Sequence, residues 1–178
     1  MLCRSRAKVA GSWEETLKPT FHRTNCTLQH FRFNQSAVYW QGAERYILEY
    51  GALKSNRRAT IFTGPVLDDN WKEYGDLRVP MQFWKVIVWP GNSGGIEVTA
   101  LLLDQQPLLN EKRVMLGQPD GKKEPKIDTY RVAVKHLTKV TGLDFSALTK
   151  YDTYKVPESI GGAEAIPVRV LAGWEDLM

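Results

Sequence analysis

The chain has 178 residues, 43% hydrophobic and 25% charged, with a formal net charge of +4 and a pI near 9.0. That length forms one domain whose core needs no disulfide or metal staple. No apolar run reaches the roughly 20 residues of a membrane span. The basic start, Met1 to Lys8, has no apolar stretch behind it and is not read as a secretory signal. Cys3 and Cys26 make neither a disulfide framework nor a zinc-ligand spacing, so localisation is left unknown. The basic excess is compatible with a polyanionic partner but does not demand one.

In chain order, residues 1–11 read as a tail without periodicity. Ser12-Trp13-Glu14-Glu15 is a capping-box pattern that starts a short helix stopped by Pro19. Trp40, Ala43, Ile47 and Leu48 recur at helical spacing and predict a long helix over 35–53. Ala59 to Thr63 is a β-branched run before Gly64-Pro65 and reads as a buried strand. Residues 66–80 read as a polar loop. Gln82 to Trp89 predicts a strand, Pro90 to Gly95 a turn, and Ile96 to Leu103 its hairpin partner. A long loop over 105–128 follows, then a helix of about two turns stopped at Gly142. Pro157 to Met178 reads as an irregular end. Strands and helices mix without a βαβ rhythm, which gives an α+β class with an antiparallel sheet and packed helices.

The residues that carry chemistry lie between Thr24 and Glu44. Asn25, Gln29, Asn34 and Glu44 are polar among apolar neighbours. Two readings of them stand. An amide oxygen with waters, and a carboxylate orienting one of those waters, suits Mg²⁺, which prefers oxygen ligands and keeps several waters. Alternatively Asn34 is a helix N-cap, Asn25 a turn residue and Glu44 a solvated helix charge. Arg23 and Arg32 flank the asparagines, either as phosphate contacts or as ordinary surface charge.

The ordered series Thr20-Phe21-His22-Arg23-Thr24-Asn25-Cys26, Gln29, Phe33-Asn34-Gln35 and Trp40-Gln41-Gly42-Ala43-Glu44 resembles the DNA/RNA non-specific endonucleases of the ββα-metal (His-Me finger) class. Ala59 to Val66, Phe83 to Trp89, Leu103-Asp104-Gln105 and Thr141 to Phe145 extend the likeness to about residue 150. The resemblance implies a Mg²⁺-dependent hydrolase of phosphodiester bonds in DNA and RNA that ignores base identity by contacting phosphate and sugar. It implies that Asn34 binds the metal, that Asn25 stands beside the site and that Glu44 orients a water. In the family an arginine commonly assists near the scissile phosphate; Arg23 and Arg32, which flank the asparagines, are the candidates here for nucleic-acid contact, with surface charge as the other reading.

The chain departs from the family pattern at the general base. The family's Asp-Arg-Gly-His motif precedes the Asn25 segment, and nothing similar occurs in the 24 residues before Asn25. Loss of a general base lowers rate by roughly two to four orders of magnitude. The expectation is a ββα-metal fold incomplete at its N-terminus: a tail over 1–11, an endonuclease-like portion over 12–150 and an extension over 151–178. Its activity is expected to be impaired, and its protein partner a second copy or a separate N-terminal piece. The alternative is a non-catalytic nucleic-acid-binding module or an inactive gene fragment. His22, His30 and His136 are the chain's histidines. They read as packing, helix-proximal and surface residues in turn.

Overall fold

The computed structural model describes residues 27–37, 39–49, 58–91, 94–109, 129–154 and 168–170. The described elements, in chain order, are α1 (Phe31–Gln35), α2 (Trp40–Tyr46), β1 (Thr60–Pro65), β2 (Trp71–Tyr74), β3 (Leu77–Pro80), β4 (Gln82–Pro90), β5 (Ile96–Asp104), α3 (Gln106–Leu109), β6 (Thr129–Val132), α4 (Val134–Thr141), α5 (Ser146–Thr149) and β7 (Val168–Val170). They form an α+β architecture around a five-stranded antiparallel sheet of order β1-β4-β5-β6-β7, with β2 and β3 as a separate ribbon.

The β4–β5 hairpin is the spine of this sheet. Both strands are apolar through their length, as a central strand covered on both faces must be. Alternation sends Phe83, Ile87 and Trp89, with Leu101 and Leu103, to one face, where Phe33, Tyr39, Trp40 and Ile47 cover them. Trp84 and Val86, with Val98, Ala100 and Leu102, go to the other face, under Val134, Leu137 and Phe145. Helices α1 and α2 therefore cover one face, and α4 and α5 the other.

Within the helix expected over 35–53 the described helix is α2, Trp40–Tyr46, and α1 is a separate, unexpected helix that ends at Gln35. Ser36 is extended at ψ 135, and its N–H closes α1 on the Arg32 carbonyl. Its own carbonyl then accepts from the Tyr39 and Gly42 N–H groups as the chain enters α2. Phe33 and Trp40 still meet, 5.8 Å apart, against Phe83. That contact packs the two helices together across the break. Residues 50–53 lie outside the described residues, as does the capping box at 12–15.

The strand expected to be buried over 59–63 is β1, an edge strand with Thr60 to Thr63 exposed. Its end is tight at Gly64, where a Cβ would stand 3.1 Å from the Trp84 indole that faces it. The loop expected over 66–80 contains the β2–β3 ribbon, closed through Gly75 at φ 59, a conformation glycine adopts without strain. Asp152 lies beside Val98 of β5 and accepts the Val134 N–H at 2.7 Å through Oδ2, satisfying the start of α4. Gly142 ends α4 at φ 69, as expected. The end of the chain is not wholly irregular, because Val168–Val170 pairs with β6. Among the described residues, no helix is long and apolar enough to cross a membrane.

Candidate functional site

The candidate site is built from the segment entering α1, from α2, and from the strand face beneath them. His30 is the N-cap of α1, and its Nδ1 accepts the Arg32 N–H at 3.3 Å. Its backbone N–H donates to Gln105 Oε1 at 2.8 Å. Gln105 is fully buried just past β5, and its Nε2 donates to the Pro80 carbonyl at 2.6 Å and to the Leu28 carbonyl at 3.5 Å. One side-chain amide thus ties the entry to α1 to the ends of two strands. Gln105 appears in the sequence only inside the family-like Leu103-Asp104-Gln105 series, and its role as a clamp follows from contacts 75 and 77 residues apart.

Asn34 sits in α1, where its N–H donates to the His30 carbonyl at 3.0 Å, and is therefore not an N-cap. Its Nδ2 donates to Gln29 Oε1 at 2.6 Å. That bond fixes the amide plane and leaves Oδ1 as the uncommitted oxygen. Gln29 is buried, and its Nε2 has no hydrogen-bond partner. A buried donor without an acceptor costs about 1–3 kcal/mol, a cost that an acceptor such as a water or phosphate oxygen would relieve.

Glu44 lies in α2 and is not a freely solvated helix charge. Its Oε1 accepts from Lys85 Nζ at 3.3 Å. Lys85 is 1% exposed in the middle of β4, and its ammonium lies 3.5 Å from the centroid of the Trp40 ring. Trp40 Nε1 is a second buried donor with no partner. In the sequence Trp40 and Lys85 appear only as members of family-like segments, with no site role given to either. Lysine in an apolar strand gives no hint of which helix will cover it.

Arg32 is half-buried in α1, with its guanidinium 5.7 Å from the Phe31 ring. Asn25, Arg23 and His22 lie outside the described residues. His136, on α4, belongs to the opposite side of the sheet. It is partly buried, and desolvation, with Lys139 nearby, holds its pKa below the usual 6.5.

No group of three or more His, Cys, Asp or Glu able to hold a metal occurs among the described residues. Such a cluster is what a structural Zn²⁺ would need. A hard divalent cation that keeps most of its waters needs one or two oxygen ligands, with substrate phosphate completing the shell. Asn34 Oδ1 and the Glu44 oxygen not engaged by Lys85 are each oxygen donors of that type.

The model of the DNA/RNA non-specific endonuclease family matches residues 6–152. The chain is also 29% identical over 144 residues to an uncharacterized protein, y4fB, of Sinorhizobium fredii. The match covers 79% of this chain and 21% of that protein, so the chain spans about a fifth of its relative's length. No solved structure matches.

Proposed function

This chain belongs to the DNA/RNA non-specific endonuclease family, and from that premise we propose that its α1/α2 face is a Mg²⁺ site for phosphodiester hydrolysis in DNA and RNA. The family acts on nucleic acids and generally uses a divalent metal. The observation that carries the assignment to this face is the Asn34–Gln29 hydrogen bond, which leaves Asn34 Oδ1 uncommitted.

In this reading Asn34 Oδ1 holds the cation. Once bound, Mg²⁺ supplies charge stabilisation at the phosphate and at the leaving 3′ oxygen. Glu44 accepts a hydrogen bond from a water with its free carboxylate oxygen and so orients that water. Asn25 stands beside the site. Arg23 and Arg32 contact backbone phosphates, which positions the nucleic acid without reading its bases. The nuclease portion takes in residues 6–152, and Val168–Val170 adds a strand to its sheet.

None of the three histidines stands in an Asp-Arg-Gly-His motif, and His30 Nδ1 is engaged in the α1 cap. A general base contributes roughly two to four orders of magnitude to such a reaction, and none of these three histidines is assigned to it. The same observations favour a second reading, in which the chain holds nucleic acid without cutting it, or works beside a second copy or a separate piece that brings the histidine.

A plasmid-nicking assay with Mg²⁺ tests the first reading. Slow nicking is expected, lost on chelation and lost in Asn34→Ala. Nicking that survives Asn34→Ala removes Asn34 from the metal. Salt-sensitive DNA binding without any nicking selects the second reading.

A further inference from the structure

We propose that Lys85 is a positioning residue for Glu44. It holds one carboxylate oxygen so that the other stays available for the water of the metal site. The proposal rests on the role given to Glu44 above.

Lys85 occupies the centre of β4, opposite Thr63 of β1 and Leu101 of β5, in a strand otherwise built from Phe83, Trp84, Val86, Ile87 and Val88. It is 1% exposed, whereas the Glu44 side chain is 30% exposed. The fold does not explain a lysine here, because buried ion pairs are often replaced by apolar residues without loss of stability. What a lysine adds is direction. Its apolar stem packs in the core and delivers an ammonium to one point above the sheet. At that point it meets Glu44 Oε1 at 3.3 Å and the Trp40 ring at 3.5 Å.

Trp40 and Glu44 are four residues apart on α2, so they stack on one face of that helix. The ammonium therefore binds two side chains of the same helix face and pins that face to the sheet. A glutamate left to itself at a partly exposed helix position samples several rotamers. A charge-assisted contact to one oxygen removes that freedom while Oε2 keeps its lone pairs. Groups that orient a metal site's own ligands and waters in this way are worth about 10- to 100-fold in affinity or activity.

The test is Mn²⁺ affinity of the full chain, read from the EPR signal of the free ion, in wild type, Asn34→Ala, Glu44→Gln, Lys85→Met and the Glu44→Gln/Lys85→Met double variant. Lys85→Met is expected to weaken binding about tenfold, and the double variant to bind no more weakly than Glu44→Gln alone. A lysine that merely supports the fold would give effects that multiply in the double variant, which overturns the proposal. Wild-type affinity in Lys85→Met beside weakened binding in Glu44→Gln overturns it too. Unchanged affinity in both Asn34→Ala and Glu44→Gln overturns the metal reading itself, and with it the proposal.

Because a core substitution can cost folding, a second measurement leaves the core intact. In protein carrying ¹⁵N-lysine, the Lys85 ammonium resonance is expected to move on adding Mg²⁺ to wild type and to stay still in Glu44→Gln. A stationary resonance in Mg²⁺-loaded wild type overturns the proposal.

Discussion

The two faces of the sheet share the same strands and differ in what they bury. On the α4/α5 face, Val86, Val98, Ala100, Val132, Val134 and Leu137 are fully enclosed. The ends of α4 are satisfied there by Asp152 and by the Gly142 cap. On the α1/α2 side lie the buried polar residues Gln29, Lys85 and Gln105. Thr99 and Thr129 share that face by register with Ile87 and Leu103. Two donors on that side, Gln29 Nε2 and Trp40 Nε1, have no acceptor. Buried polar groups cost stability unless they are partnered. On the α1/α2 side Lys85 and Gln105 are partnered, and the cost falls on the Gln29 and Trp40 donors.

The sharpest way to break this division is to exchange the expected signatures. Leu137→Ala, in the closed core under α4, is expected to lose about 2–5 kcal/mol in urea unfolding while Mn²⁺ affinity stays at the wild-type value. Asn34→Ala is expected to do the reverse. It removes one hydrogen bond, worth about 1 kcal/mol, and loses Mg²⁺-dependent nicking. If Leu137→Ala also loses metal, the faces are not independent.

The smallest expected effect concerns pH. Burial and Lys139 push the His136 pKa below 6.5, so the unfolded chain takes up the proton first. Stability should therefore fall as pH drops below about 6.5, and level off once the folded histidine is protonated as well. A stability–pH curve of His136→Gln should lack that slope. If the slope persists, it comes from another group.

How far the sequence revealed this molecule depended on how local each signal was. The β4–β5 hairpin and α4 were legible because their apolar patterns and turn residues act within a few positions: Pro90 to Gly95 for the hairpin, Gly142 for the helix. The β2–β3 ribbon was hidden because Asp, Asn and Gly dominate residues 66–80, and a short ribbon with polar turns reads as a loop. The break at Ser36 was hidden because Trp40, Ala43, Ile47 and Leu48 set a helical spacing without marking where the helix begins, and no Pro or Gly interrupts residues 35–39. The family's ordered motifs pointed to Asn34 and Glu44. Their surroundings were not legible, because Lys85 is 41 residues from Glu44 and Gln105 is 75 from His30.

The central claim is that the α1/α2 face, with Asn34 at its centre, is where the metal binds. Paramagnetic broadening of backbone amide resonances by substoichiometric Mn²⁺ tests it directly. The broadening should centre on Asn34, spread through α1 and into α2, and spare residues 134–149 of α4 and α5. Broadening centred on α4 and α5, or spread evenly over the surface, would contradict it.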